Sequence, residues 1–344
     1  MTFPTIGKSA SERILLSHGG GGGRTKQLLR DVILPALGYD GSEKLDDAAY
    51  VETPDREVAV TTDSYVVRPL FFPGGDIGRL AVSGTVNDLA MQGAAPLALT
   101  LGLVIEEGLE IDVLRRAMES VGRTAREAGV RIVTGDTKVI ERRTGDGLFI
   151  NTAGLGSRYR GADTGVGNAR PGDAVLVSGT LGDHGVAVMS AREAWGLSSR
   201  LESDVAPLWD MVRGLLDAVP GVRCLRDPTR GGLAAALNDI AEASGAGVRI
   251  REDALPVRDE VRGVCDLLGL DPLNVANEGK TVVVCAAADA ERALAALRAH
   301  PRGRAAAAIG EVVKGPAGRV RLATRLGGER MVDAPSGEDL PRIC

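Results

Sequence analysis

The apolar period of the chain changes repeatedly between residues 57 and 157, and each change marks a new element. The stretch "EVAVTTDSYVV" (57–67) is rich in β-branched residues and reads as a strand. The next stretch, "DIGRLAVSGTVNDLAMQG" (76–93), sets Ile77, Leu80, Ala81, Val86, Leu89 and Ala90 on overlapping faces at helical spacing. After it, "APLALTLGLVIEE" reads as a buried strand, and "EIDVLRRAMESVGRTAREAG" as an amphipathic helix that stops at Gly129. "VRIVTGDTKVI" and "LFINTAGLGS" are two further strands, with "AAYVE" before the whole series. Sheets that alternate with helices in this way have to bury one face of each against the other, so the fold class is α/β (α+β).

The polar, glycine-rich stretch "SRYRGADTGVGNARPG" (157–172) breaks the pattern and is the expected interdomain link. A second α/β block follows, beginning at "DAVLVSGTLGDHGVAVMS". Helices are expected near 204–218, 230–243, 258–268 and 289–299, and strands near 281–288 and 308–313. The expected division is a Gly-rich arm (1–45) with one helical stretch near "RTKQLLRDVILPAL", a first domain (46–160), a second domain (161–333) and an extended tail (334–344). With 344 residues, the chain is long enough for two cores of ordinary size.

Charge and composition exclude several functions. A net charge of −5 and an aromatic fraction of 3% argue against a nucleic-acid footprint, which needs basic patches and stacking surfaces. No stretch has the length of a membrane span, and the N-terminus has no signal-peptide core, so a soluble, cytoplasmic protein is expected. Four cysteines without a CxxC pair, with only three histidines, do not make a sulfur–imidazole zinc site. Cys285, in the run "TVVVCAAA", is expected to be an inert core residue.

Three groups of residues are candidates for chemistry. The run "SHGGGGGRTK" holds consecutive glycines, among them Gly19, Gly20, Gly21 and Gly22. It reads either as a backbone cradle for an anion, with Arg24 and Lys26 adding charge, or as a flexible arm. It is not a Walker A loop. Acidic residues recur at element ends: Asp47, Asp63, Asp88 (after Asn87), Asp136 and Asp227. An oxygen-rich set of this kind suits Mg²⁺, although a single Asp in such a place is more often a cap or turn residue. Lys138 and Glu278 lie at the edges of apolar strands, where a charge needs a reason. "VSGTLGDHG" (177–185) does not fit a dinucleotide loop, and His184 within it reads as a loop residue.

Together, "TTDSYVVRPLFFPGGDIGRLAVSGTVNDLAMQGAAPLALTL", "GDTKV", "DPTRGGLAAALNDIA", "NEGK" and the terminal "PRIC" resemble the HypE family of hydrogenase maturation proteins. The blocks "NDLAMQGA" and "DPTRGG" alone point only to the wider superfamily, which includes aminoimidazole ribonucleotide synthetase, selenophosphate synthetase and thiamine-monophosphate kinase. The terminal "PRIC" is the specific part. The resemblance implies a two-domain PurM-like fold, with an N-terminal antiparallel sheet that forms a shared barrel in a homodimer and a mixed α/β C-terminal layer. It implies ATP and Mg²⁺ between the domains, a HypF-type partner that carbamoylates Cys344, and a HypC–HypD-type iron scaffold that takes the cyanide. On this basis Asp88 and Asp227, with Asp47 and Asp63, would hold Mg²⁺ on the ATP phosphates. The glycine loop, Asn87 and Asp136 would contribute to nucleotide binding. Lys138 would polarise the thiocarbamate oxygen or stabilise the charge transferred, and Glu278 would take its nitrogen proton. Two other readings are a small-molecule kinase or synthetase of the superfamily, with Cys344 incidental, and a non-catalytic carrier of the modified tail.

Overall fold

Two mixed sheets divide the chain between them. The computed structural model describes residues 23–28, 30–31, 48–52, 57–142, 145–192, 201–315 and 318–335. The first half supplies helix α1 (Gly23–Leu28), strands β1 (Ala49–Glu52), β2 (Glu57–Tyr65), β3 (Phe71–Phe72) and β4 (Gly75–Asp76), and helix α2 (Ile77–Met91). It continues with β5 (Ala94–Glu106), α3 (Ile111–Glu127), β6 (Arg131–Ile140) and β7 (Leu148–Arg158). The second half supplies β8 (Asp173–Val177), α4 (Asp183–Ser190), α5 (Trp209–Ala218), β9 (Cys224–Arg226), α6 (Gly232–Ser244) and β10 (Gly247–Arg251). It ends with α7 (Asp259–Leu268), β11 (Val282–Ala286), α8 (Ala290–Ala299), β12 (Ala307–Val313), β13 (Val320–Ala323) and β14 (Glu329–Met331). No helix among the described residues is long and apolar enough to cross a membrane.

The first sheet has the order β1-β2-β7-β5-β6. Its pairings are antiparallel except that of β5 with β6, which is parallel because α3 carries the chain back across the sheet between them. The second sheet has the order β14-β13-β10-β12-β8-β11-β9. There only β10 and β13 run parallel.

Helix α2 is the centre of the first half. Asp76 caps it, accepting from the amides of Gly78 (2.8 Å) and Arg79 (3.0 Å). Of its residues, only Arg79 and Asp88 are not fully buried. A helix apolar on all sides needs cover on all sides. The cover comes from β2 and β7 on one flank, α3 on another and α5 of the second half on a third. Close approach is possible because the helix carries small residues: a Cβ at Gly84 would stand 2.3 Å from the Tyr65 hydroxyl. One apolar core therefore runs across both halves, from Leu80 and Met91 through Leu208 and Met211 to Val283 and Cys285. A second core, around Leu237, Ile240, Val248 and Val320, lies between α6 and the second sheet.

The structure differs from the sequence expectation between 204 and 208. A helix is expected from 204, but α5 begins at Trp209, and residues 201–208 have no regular secondary structure. Their backbone groups bond outward instead. Ser203 donates to the Pro73 carbonyl (2.8 Å) and Ala206 to the Glu278 carbonyl (3.3 Å). Asn87, 2% exposed, closes this junction. Its Nδ2 donates to the carbonyls of Ala206 (3.1 Å) and Glu278 (3.4 Å), and its Oδ1 accepts from the Leu208 amide (2.8 Å). One side chain on α2 thus ties together two segments of the second half.

Removing that side chain leaves buried backbone groups without partners, each a costly loss. Asn87→Ala is therefore expected to lower unfolding stability by about 2–4 kcal/mol, measured by urea melts. A loss below about 0.5 kcal/mol, the level of an ordinary surface change, would show that the bracket does not hold the halves together.

Candidate functional site

Strand β2 and helix α2 meet with matching periods. Along β2, Thr61, Asp63 and Tyr65 share one face. Along α2, Thr85 and Asp88 are three residues apart and share another. Thr61 Oγ1 donates to Asp88 Oδ2 (2.8 Å), and the Tyr65 hydroxyl pairs with Thr85 Oγ1 (3.1 Å). Thr85 continues to the hydroxyl of Thr152 on β7. These bonds fix the first-half wall of a cavity of about 180 Å³.

The opposite wall comes from the second half. The loop between β9 and α6 contributes Asp227, Thr229 and Arg230, β9 contributes Arg226, and the turn before β11 contributes Glu278. Four carboxylates, Asp63, Asp88, Asp227 and Glu278, therefore line one small space, and Arg226 and Arg230 are the cations that line it with them. Arg226 is also engaged by Asp239 on α6 (3.0 Å).

The electrostatics follow from this crowding. Glu278 is 4% exposed. Burial, and then the charges of Asp227 and Asp204, push its carboxyl well above the usual glutamate range, while Arg230 acts in the opposite direction. Burial, then Asp63 and Asp88, likewise push the Tyr65 phenol well up, so it stays a hydrogen-bond donor.

The sequence candidates separate into three sets. Asp63, Asp88, Asp227 and Glu278 line the cavity. Asn87, Asp136 and Lys138 do not. Asn87 is consumed by the bracket described above. Asp136 and Lys138 stand on β6 at the edge of the first sheet, largely exposed, and pair with each other at 2.5 Å. The Lys138 hydrogen bond holds the Asp136 carboxyl below its ordinary value. Gly19, Gly20, Gly21, Gly22, Asp47 and Cys344 lie outside the described residues. His184, expected in a loop, is instead in the first turn of α4, buried, with Nδ1 2.8 Å from Ser203 Oγ.

Sequence reasoning missed Thr61, Tyr65, Arg226 and Arg230. Arg230 stood inside the "DPTRGG" block, where attention went to the aspartate. A second cleft, of about 700 Å³, lies beside the same turn: Glu278 borders the acidic cavity, while Gly279 and Lys280 border this cleft with Arg79, Arg258 and Arg302.

The donor set suits a hard cation. Carboxylate and hydroxyl oxygens without sulfur or imidazole match Mg²⁺, and mutual repulsion among the acids favours a cation there. Among the described residues, no group of three or more His, Cys, Asp or Glu forms a ready cage. Asp63, Asp88, Asp227 and Glu278 are the carboxyl groups that line this space.

Comparison with known proteins identifies the family. The family models for AIR synthase related protein, N-terminal and C-terminal domains, match residues 45–157 and 170–323. The chain is 51% identical over 335 residues to carbamoyl dehydratase HypE of Cupriavidus necator, covering 97% of this chain and 95% of that protein. The chain belongs to the HypE family. Its fold superposes on the crystal structure of HypE in complex with ATP with a TM-score of 0.81 at 46% identity, over 95% of this chain and 98% of the other. With HypE of a HypE–HypF complex, the TM-score is 0.84 at 46% identity, over 90% and 99% of the two chains. The HypE-family fold thus places the acid-lined cavity at the seam between its two halves.

A buried carboxyl with a raised pKa binds its proton more tightly in the folded state. Its contribution to stability is fully present below the ordinary glutamate range and is lost as pH rises through the raised value. Without nucleotide or metal, Glu278→Gln is therefore expected to melt like the parent chain below about pH 4.5 and at a higher temperature at about pH 8. Calorimetry across that range checks it, and a variant that melts lower than the parent at the alkaline end would show that the carboxylate is stabilised where it sits.

Proposed function

We propose that the chain is an ATP-dependent carbamoyl dehydratase that converts S-carbamoylated Cys344 to a protein thiocyanate, the source of the cyanide ligand in NiFe-hydrogenase assembly. The observation that carries this reading is the position of the tail base. Pro335 packs against Gly231, next to Arg230 at the cavity, with its ring 3.6 Å from where a Gly231 Cβ would stand. Its carbonyl accepts from the Gly23 amide (3.1 Å), so the chain that follows the glycine run meets the chain that leads to the tail. Cys344 lies nine residues beyond Pro335. At about 3.3 Å per residue that segment spans up to about 30 Å, ample to bring the sulfur to Glu278.

The chemistry assigns the residues. Expelling oxygen from S–C(O)–NH₂ as hydroxide is prohibitive near neutral pH. ATP supplies a phosphoryl group that turns this oxygen into a phosphate leaving group, a reaction governed by positioning and charge neutralisation. Asp88 and Asp227 would hold Mg²⁺ with the nucleotide phosphates, with Asp63 beside them. Arg230 faces the charge that develops on the carbamoyl oxygen. Glu278 takes protons from the nitrogen. Both N–H protons leave, the C–O bond breaks with its electrons on the phosphate oxygen, and S–C≡N remains with ADP and phosphate. The glycine run is suited to closing over the phosphates through its amides.

The same reading includes a homodimer. β6 is an open sheet edge, and Leu97, Val133, Val139 and Leu155 expose large apolar side chains on this sheet. An apolar sheet edge of this kind calls for cover, and a second copy supplies it. In the dimer, Asp136 and Lys138 on the covered strand would be available to a cavity, which accounts for a charged pair there. The partners are a HypF-type carbamoyl donor and a HypC–HypD-type iron scaffold. An ATP-consuming reaction fits a cytoplasmic setting.

Two measurements test the proposal. Mass spectrometry of the carbamoylated chain should show the loss of one water when MgATP is added, and Glu278→Gln should slow that loss by about 10²–10⁴-fold. A thiocarbamate that persists with the parent chain and MgATP would sink the dehydratase reading. In sedimentation, the parent chain should be a dimer and Val139→Arg a monomer; an unaltered dimer would move the interface away from β6.

A further inference from the structure

Glu278 is held by its backbone. Its carbonyl accepts from the Ala206 amide (3.3 Å) and from Asn87 Nδ2 (3.4 Å). Its amide donates to Asp204 Oδ1 (3.1 Å). The next amide, of Gly279, donates to Asp204 Oδ2 (3.2 Å), and the side chain after that, Lys280, donates to the same oxygen (2.9 Å). One carboxylate therefore grips three successive residues. Its side chain is 4% exposed and that of Lys280 is 8% exposed, so the pair is shielded from water.

The contact is too close for coincidence of packing. A Cβ at Gly279 would lie 1.9 Å from the Asp204 carbonyl oxygen, so the turn fits against Asp204 only with glycine at its centre. Burial alone would raise the Asp204 carboxyl, but Lys280, His184 and the Glu278 amide outweigh it and keep it below the ordinary range. Asp204 is thus a carboxylate throughout the neutral range, and charge-assisted bonds from two amides and an ammonium are strong and directional.

We propose that Asp204, with Lys280 as its counter-ion, is a positioning residue for the dehydration, clamping the Glu278–Gly279–Lys280 turn so that the Glu278 carboxylate points at the thiocarbamate nitrogen. Asp204 lies on the far side of the turn, bordering the larger cleft rather than the acidic cavity, so it acts through Glu278 and not on the substrate. A general base has to be within hydrogen-bond reach of its proton, and a small displacement of its backbone removes that reach. This inference rests on the reading of Glu278 as the base.

The test uses the full chain carbamoylated with cyanate. Cys224, Cys265 and Cys285 are buried, and burial pushes the thiols of Cys265 and Cys285 to about 11, which directs the reagent to Cys344. The rate of water loss after MgATP addition is followed by mass spectrometry. Asp204→Asn is expected to slow it by about 10²-fold, with the affinity for ATP unchanged. In a Glu278→Gln background, the same substitution is expected to cause no further slowing, because the residue it positions is already gone. Should Asp204→Asn fail to fold because Lys280 keeps only the longer pair with Asp183 (4.0 Å), the double variant Asp204→Asn/Lys280→Met, in which Asp183 keeps Arg258 (3.6 Å), is expected to show the same loss. Dehydration at the parent rate in these variants, or equal slowing in both backgrounds, overturns the inference. A parent chain that does not dehydrate overturns the dehydratase reading and takes this inference with it.

Discussion

Repulsion within the acid cavity is the constraint that the rest of the molecule has to withstand. Asp63 and Asp88 come from the first half, Asp227 and Glu278 from the second, and they meet where the halves join. Left to itself, like charge on the two sides of a seam would push it open. The fold answers with apolar area and with hydrogen bonds placed behind the charges. The core that joins α2 to α5 and β11 passes beneath the cavity. Asn87 and Asp204 fasten the Glu278 turn from its other side. A cation that entered such a site would replace repulsion with attraction.

The same arrangement explains why adjacent residues on α2 have opposite duties. Asn87 and Asp88 are about 100° apart around the helix. One points into the seam and becomes part of the bracket, while the other points into the cavity and accepts from Thr61. Structure and chemistry are thus carried by neighbouring positions in one motif, and neither duty can be changed without shifting the helix that serves both.

Much of this was legible in the sequence, for physical reasons. Strong periodicity made α3 readable, continuous apolar runs marked α2 and β5, and Asp88 and Asp227 stood out because a charge among small residues needs a purpose. The junction role of Asn87 was not legible because a linear motif does not say which face of a helix each member takes. Lys138 was read as catalytic and Asp136 as nucleotide-binding, but on a strand residues two apart share a face and reach each other first. Their pairing across 2.5 Å is what one protomer allows. Segment 201–208 was the least legible. It has no apolar period because its role lies in backbone bonds to three other segments, and such bonds leave no trace in side-chain pattern. Asp204 was invisible because its carboxylate accepts from two backbone amides and a lysine more than 70 positions away, which local sequence does not show.

The anchoring of the cavity mouth shows how a substrate tethered to its own enzyme can be managed. Asp239 on α6 pairs with Lys26 of α1 at 2.5 Å and with Arg226 of the cavity at 3.0 Å. Glu242, one turn further on, also pairs with Lys26 (3.3 Å). Gly23, at the start of α1, bonds the carbonyl of Pro335. The base of the glycine run, the base of the tail and a cation lining the cavity are therefore fixed to one helix. That co-anchoring fixes Gly23 and Pro335, from which the two segments continue, beside the cavity. Under the proposed reading, a thiol that meets a donor, its own cavity and an acceptor in turn would need this combination of a fixed base and a long reach, whereas a residue built into a strand or helix could serve only one of the three.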